Sequence, residues 1–172
     1  MDFKYKLGLK MSKKDDRDLC YILPSKKIEW PSHFSLKNKI KIIFKQGEMK
    51  SCTADSICQQ MMILNEHLEI PSRLYEYFNS RRIAGSECFD DGVDLRSAYK
   101  ALIKYNWVPE NEYPYEIKNV LNNPPLELYI KAIRNPYVNY FRSVIQNLYN
   151  LKYIISQQKI YIVFGAHIYD TF

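Results

Sequence analysis

The sequence predicts an α+β fold in which helices dominate and a single strand comes last. Apolar residues recur at spacings of three and four in three separate stretches between residues 52 and 103, which is the signature of amphipathic helices. A fourth helical pattern follows over Phe141–Gln158, and the continuous apolar run Lys159–Ile168 is typical of a strand that is buried on both faces. With 172 residues, of which 47% are hydrophobic, the chain is long enough to bury a sizeable core.

The first part of the chain is predicted to be an irregular arm that leads into a turn and then a helix. Residues 1–36 contain two prolines, which interrupt regular structure. Lys39–Phe44 (KIKIIF) is predicted to be a short extended segment that enters a turn at Gln46-Gly47. The first helix is predicted to begin at Cys52, because the apolar positions that follow it have helical spacing up to Asn65.

Start signals in the sequence predict two more helices in the middle of the chain. Pro71-Ser72 is a proline beside a capping serine, and it is expected to open the second helix. Asp94 can cap a third helix after the loop Gly85–Gly92, because its carboxylate can accept a hydrogen bond from a free backbone N–H. Asn106–Asn123 is expected to be irregular.

Composition excludes several classes of protein. The net charge of +6 comes from scattered lysines without a long basic run, so a solvated basic surface is favoured over nucleic-acid binding. The N-terminus lacks the apolar core of a signal peptide, and no apolar run is long enough to cross a bilayer, which predicts a cytoplasmic protein. The four cysteines have neither metal-ligand nor disulfide spacing, so reduced thiols and no cofactor are expected. The bias toward Lys, Asn, Ile and Tyr suggests an AT-rich genome.

Cys52 occupies a position where a thiol can become a nucleophile. The unpaired N–H groups at a helix N-terminus stabilise a thiolate, and Cys52 is the residue at which the first helix is expected to start. Gln46 lies on the turn that approaches the same point, and its amide can stabilise an oxyanion that forms beside the sulfur. Cys58 falls on the apolar side of the same helix and is expected to be a small core residue.

The segment Gln46–Ala54 (QGEMKSCTA) resembles the active-site segment of papain-like cysteine peptidases, which reads Gln-Gly-x-Cys-Gly-Ser-Cys-Trp-Ala. At Met49 and Thr53 the segment is similar to a branch of this peptidase family, found in bacteria and large DNA viruses, in which threonine replaces the tryptophan. Five further stretches are similar to motifs of that branch in order and spacing: Asp15–Asp18 (DDRD), Leu23–Trp30 (LPSKKIEW), Pro71–Arg82 (PSRLYEYFNSRR), Asp90–Glu116, and Val163–Phe172. One departure is Lys50, which replaces a glycine beside the nucleophile and is expected to crowd the cleft.

The resemblance implies a two-lobed fold with the active site between a helical lobe and a β-barrel lobe. It implies an N-terminal arm over residues 1–36, a complete helical lobe over residues 37–123, and the beginning of the β lobe over residues 124–172. Cys52 is then the nucleophile, Gln46 contributes to the oxyanion hole, and the partner is a peptide or protein substrate. No cofactor, nucleic acid or membrane is implied. The arm is shorter than the inhibitory prosegment of such enzymes, so control by that segment is not expected.

The general base is the part of the chemistry that the sequence does not provide. In papain-like enzymes the histidine and asparagine follow the cysteine by roughly 130–150 residues, and counting on from Cys52 passes the last residue, Phe172. Of the three histidines, His33 and His67 are expected at the surface, and His167, the only rival for the base, is expected to be a strand residue. The chain is therefore expected to be inactive alone, either as a fragment or as a part that a second chain completes. The alternatives are a non-catalytic scaffold or virion component that retains the lobe, and a different acyl transfer on the same scaffold.

Overall fold

The computed structural model describes residues 7–24 and 29–167, and its centre is a group of three helices that contact one another. In this part of the chain we number five α-helices: α1 (Cys52–Leu64), α2 (Arg73–Ala84), α3 (Leu95–Tyr105), α4 (Leu126–Ala132) and α5 (Leu148–Ser156). Two short strands, β1 (Leu9–Lys10) and β2 (Val93–Asp94), pair in parallel. Short 3-10 turns occur at Lys37–Lys39 and Ile117–Asn119.

The predicted starts of the three central helices are confirmed. The hydroxyl of Ser72 accepts a hydrogen bond from the backbone N–H of Tyr75 and so caps α2. The carboxylate of Asp94 caps α3 in the same way, by accepting from the backbone N–H of Ser97. These caps satisfy backbone donors that have no partner inside the helix, which is why the helices begin at these residues. The helix α2 ends at Gly85, whose φ of 72° lies in the left-handed region that favours glycine.

Two clusters of buried side chains meet at the start of α1. The first cluster contains Met49, Leu74, Tyr75, Val108, Tyr113, Leu128 and Ala132. The second contains Ala54, Ile57, Met61, Tyr77, Val93, Ala98 and Leu102. Met49 lies three residues before Cys52 and Ala54 lies two residues after it, so the chain on either side of this cysteine is buried in a different cluster.

The prediction that residues 1–36 form an irregular arm is wrong at Leu9 and Lys10, which form strand β1 and pair with β2. Leu9 pairs with Val93, and Lys10 pairs with Asp94. Three polar contacts extend the attachment: Lys10 with Asp91 at 2.5 Å, Ser12 with Asp94 at 3.0 Å, and the guanidinium of Arg96 with the carboxylate of Asp18. A strand of two residues has no periodicity, so its partner strand, and not its own sequence, determines it.

Two predictions for other segments are wrong in the described residues. The helix predicted over Phe141–Gln158 is α5 and covers only Leu148–Ser156, because Asn147 caps it by accepting from the backbone N–H of Asn150. Residues 159–167 form no strand and are half-buried or exposed, while Ile168 lies outside the described residues. A strand needs a neighbour to satisfy its backbone groups, and the described residues provide none for this segment. In the segment Lys39–Phe44, which was expected to be extended, Lys39 ends a 3-10 turn and Ile40 is extended.

The helix α4 is absent from the predictions because its pattern is not amphipathic. Leu128 and Ala132 are buried, but Leu126, Ile130 and Ile133 are exposed on the other side. Apolar residues on both sides hide the helical period from an analysis of spacing.

The buried carboxyl of Glu76 in α2 makes stability depend on pH. Only 3% of Glu76 is exposed, its carboxyl accepts a hydrogen bond from the Ser80 hydroxyl at 3.0 Å, and burial raises its pKa from 4.5 to about 8. The folded-state pKa is the higher one, so the stabilisation is fully present below pH 4.5 and is lost as the pH rises through 8. The loss amounts to at most about 5 kcal/mol for a pKa change of this size.

We expect the free energy of unfolding to fall less between pH 5 and pH 8 in Glu76→Gln than in the wild type. The amide keeps the shape and the acceptor but has no proton to release. Urea unfolding at both pH values measures the difference, and Glu66→Gln, at an exposed position, is the control. Asp55, whose pKa burial raises to about 6, contributes equally to both proteins. Identical pH dependence of Glu76→Gln and the wild type would contradict the prediction.

Candidate active site

Cys52 is the first residue of α1, and its half-buried side chain lies between two buried, anchored neighbours. Thr53 donates a hydrogen bond from its hydroxyl to the backbone carbonyl of Val93 at 3.0 Å. Ser51, which is 0% exposed, is hydrogen-bonded through its hydroxyl to that of Tyr115. The thiol therefore sits at a fixed helix N-terminus, where the helix dipole favours negative charge.

The residues before Cys52 form a closed turn that begins at Gln46. The side-chain Nε2 of Gln46 donates to the backbone carbonyl of Met49 at 2.6 Å. Gly47 has a φ of 64°, a conformation that residues with a Cβ adopt at a cost. The structure thus places Gln46 and Cys52, the two site residues predicted from the sequence, at opposite ends of one turn, which we call the nucleophile turn (residues 46–52).

Tyr115 joins the two ends of the nucleophile turn. Its hydroxyl donates to the backbone carbonyl of Gln46 at 2.9 Å and is also hydrogen-bonded to the hydroxyl of Ser51. One phenol group therefore links the residue predicted to hold the oxyanion donor to the residue that precedes Cys52. Tyr115 lies within the stretch Asp90–Glu116 that is similar to a family motif, but the sequence predicts no role for it.

Arg73, the first residue of α2, supports Tyr115 and the entry to the turn. Its guanidinium lies between the rings of Phe44 and Tyr115, at 4.5 Å and 3.8 Å from their centroids. It is paired with Glu110 at 2.7 Å and lies 3.7 Å from Asp55. Burial raises the pKa of the Asp55 carboxyl to about 6, although the charge of Arg73 acts in the opposite direction. None of these roles was predicted, because they depend on contacts between distant segments.

The loop before β2 forms the other wall of the site. Asp90 accepts hydrogen bonds from the backbone N–H of Lys50 at 3.1 Å and from the hydroxyl of Tyr77 at 2.6 Å. The side chain of Lys50, which was expected to crowd the cleft, is paired with Asp91 at 3.7 Å and remains 33% exposed. Asp91 also pairs with Lys10 of the arm, so this carboxylate connects the wall to both segments.

The arm passes in backbone contact with the nucleophile turn. The carbonyl of Gly8 accepts from the backbone N–H of Val93 at 3.0 Å. A Cβ added to Gly8 would lie 2.2 Å from the carbonyl oxygen of Lys50, and one added to Gly92 would lie 1.8 Å from the carbonyl oxygen of Gly8. Because Gly8 and Gly92 lack a Cβ, the backbones of the arm, the loop before β2 and the nucleophile turn can approach one another near Lys50, two residues before Cys52. The sequence pattern does not predict this contact.

The structure does not bring a histidine to Cys52 within the described residues. His33, His67 and His167 are exposed, and no hydrogen bond joins any of them to Cys52. Residues 7–24 and 29–167 also contain no group of three or more His, Cys, Asp or Glu side chains that could hold a metal ion. Within the same residues, no helix has the length and apolar character needed to cross a bilayer.

The arrangement of helices around a half-buried cysteine at a helix N-terminus is similar to the fold of a solved cysteine protease. The crystal structure of xylellain, a cysteine protease from Xylella fastidiosa, matches with a TM-score of 0.72 and 23% identity over 90% of this chain and 64% of that chain. An uncharacterized peptidase C1-like protein of Acanthamoeba polyphaga mimivirus is 31% identical over 102 residues, which are 56% of this chain. No family model matches.

The predicted resemblance and fold class are thereby confirmed: the fold is that of papain-like cysteine peptidases, with a helical lobe and few strands. A relative in a large DNA virus, also expected from the sequence, is found. The match covers about a third of the viral relative, 33% of its length, and less than two thirds of xylellain.

Proposed function

We propose that this chain carries the nucleophile and oxyanion-binding part of a papain-like cysteine endopeptidase. Cys52 attacks the scissile carbonyl through its thiolate, a C–S bond forms, and the carbonyl oxygen becomes an oxyanion. Gln46 Nε2 and the backbone N–H of Cys52 stabilise that charge. The observation that carries the proposal is a half-exposed Cys52 at the first residue of α1, with Gln46 at the other end of the same turn.

The general base is proposed to come from outside these 172 residues, from a continuing sequence or a second chain. A histidine must lie within hydrogen-bond reach of the thiol to accept its proton. The exposed histidines of the described residues make no such bond to Cys52. The chain by itself is therefore expected to turn over peptides poorly. Its cysteines are free, which suits a reducing compartment such as the cytoplasm of a host or the inside of a virion.

We expect iodoacetamide to modify Cys52 before the other cysteines near neutral pH. Cys58 is fully buried, and burial raises its pKa well above the usual value, so it should not react. Cys20 and Cys88 are exposed without a helix N-terminus beneath them and act as internal controls. Mass spectrometry of peptides from a time course measures the order of labelling. Faster labelling of Cys88 would argue against Cys52 as the nucleophile.

Turnover of a fluorogenic peptide separates the enzyme from a non-catalytic scaffold. The wild-type chain, Cys52→Ala and His167→Ala are compared, and a longer gene product that contains a further histidine is assayed if one exists. Turnover that is lost in Cys52→Ala supports the peptidase. Loss in His167→Ala as well would make His167 the base. A longer product that is inactive despite a labelled Cys52 would favour the scaffold.

A further inference from the structure

We propose that Tyr115 is a positioning residue, which fixes Gln46 relative to Cys52 so that the oxyanion donor is aligned before substrate arrives. The inference rests on the proposed function, because it assigns a purpose to the oxyanion site described there. It is carried by one hydroxyl that bonds to both ends of the nucleophile turn.

The direction of the hydrogen bonds follows from counting protons. A backbone carbonyl can only accept, so the single hydroxyl hydrogen of Tyr115 is donated to Gln46. The hydroxyl of Ser51 also has one hydrogen, for which the Tyr115 oxygen and Asp55 Oδ2 compete, and it goes to Tyr115 because Asp55 Oδ2 is more distant at 3.4 Å. The chain Ser51 to Tyr115 to Gln46 therefore runs in one direction and restrains both ends of the turn at once.

The ring of Tyr115 is held rigidly enough to act as a support. The guanidinium of Arg73 stacks on it at 3.8 Å, and Glu110 holds that guanidinium from the other side at 2.7 Å. Arg73 also reaches the backbone carbonyl of Lys45 at 3.4 Å, the residue before Gln46. Burial raises the pKa of Tyr115 above its ordinary value, so the hydroxyl remains a donor throughout the working range of pH.

A donor that must meet a developing oxyanion is effective only when its position is fixed beforehand. The side chain of Gln46 projects from a backbone segment whose carbonyl is bonded to Tyr115. Loss of that bond leaves the amide chemically intact but allows the turn to move away from α1. Tyr115 thus acts through Gln46 and does not itself touch the substrate.

Two reagents, of which only one forms an oxyanion at the attacked carbon, can test this role on the chain as it exists. p-Nitrophenyl acetate acylates a thiolate: a C–S bond forms, the tetrahedral oxyanion collapses, and p-nitrophenolate leaves. Iodoacetamide alkylates the same thiolate by displacing iodide, without an oxyanion. Mass spectrometry gives the two rate constants at Cys52. The fraction of Cys52 present as thiolate enters both constants, so it cancels in their ratio, and a change in that ratio between variants reports the stabilisation of the oxyanion.

We expect Tyr115→Phe to lower the acylation rate at Cys52 about fivefold to tenfold while alkylation changes by less than about twofold. Removal of the donor itself, in Gln46→Ala, should lower acylation about a hundredfold. In the Gln46→Ala background, Tyr115→Phe should cause no further loss, because it acts through the missing amide. A general loosening of the fold would slow both reagents or add to the effect of Gln46→Ala, and either result would overturn the proposal.

The matched control is Tyr113→Phe, which removes a phenol hydroxyl two residues away that donates to the backbone carbonyl of Asn122 instead. It should leave the ratio unchanged. Ser51→Ala breaks the same chain of hydrogen bonds at its other hydroxyl and replaces Tyr115→Phe if that variant does not fold. If Gln46→Ala slows acylation selectively and Tyr115→Phe does not, the inference about Tyr115 is refuted but the proposed oxyanion site is not. No selective effect of Gln46→Ala refutes the proposed oxyanion site and the inference together.

Discussion

Replacement of Arg81 by methionine is expected to lower the free energy of unfolding by about 3 kcal/mol, because it leaves several carbonyl groups without a donor. Arg81 in α2 is 0% exposed. Its guanidinium donates to the backbone carbonyl of Phe89 at 2.7 Å, to that of Glu87 at 3.3 Å, and to that of Val120. Burial lowers its pKa, and its Nε donates to a fourth backbone carbonyl, that of Tyr77, at 3.4 Å. Methionine fills much of the volume but donates nothing.

Urea unfolding of Arg81→Met and of Arg82→Met provides a comparison between adjacent arginines. Arg82 is less buried and bonds to the side chains of Tyr129 and Asn123, which can turn toward water once it is removed. We expect Arg82→Met to cost about 1 kcal/mol. Equal losses in the two variants would show that the carbonyls of the loop before β2 do not depend on Arg81.

We expect Gly8→Val to detach the arm from the active site without unfolding the helices. A Cβ at this position would lie 2.2 Å from the carbonyl oxygen of Lys50, and backbone atoms cannot move aside as a side chain can. Residues 7–12 should then leave the wall of the site, and trypsin should cleave after Lys10 at least about tenfold faster than in the wild type. Alkylation of Cys52 should also accelerate, since Gly8 of the arm lies against Lys50 of the nucleophile turn.

Met11→Val is the control for this experiment, because Met11 belongs to the same arm but is 88% exposed. It should leave both rates unchanged. If trypsin cleaves Gly8→Val no faster than the wild type, the arm is held by contacts other than its backbone pairing with β2. If cleavage accelerates but alkylation of Cys52 does not, the arm does not limit access to the thiol.

Local signals in the sequence were sufficient for the central helices and for the thiol. Ser72 and Asp94 cap helices through atoms within three residues of themselves, and such short-range chemistry can be read from a sequence. Cys52 was identified because helix spacing starts there and because the surrounding motif resembles a known active-site segment. The same reasoning overextended the fourth helix and predicted a strand over Lys159–Ile168, since apolar runs do not distinguish strands from partly buried loops.

The parts of the site that were missed depend on contacts between residues far apart in the chain. Tyr115 meets Ser51 across 64 positions, and Arg73 meets Glu110 across 37. Neither has a local pattern that would single it out from other tyrosines and arginines. Gly8 gave no signal either, because its role is to lack a side chain where Lys50 and Gly92 approach it. Such residues become visible only when the three-dimensional arrangement is known.

The order of synthesis has a consequence for when the nucleophile turn can form. The side chains that hold this turn and Lys45 before it, namely Arg73, Asp90 and Tyr115, all follow it in the chain. The arm is made first, yet its partners Asp91, Asp94 and Arg96 lie 78 to 82 positions later. Closing loops of that length costs entropy, so we expect the arm to dock after the helices have paired. We likewise expect the nucleophile turn to gain its full set of contacts only after Tyr115 has been synthesised and has left the ribosome.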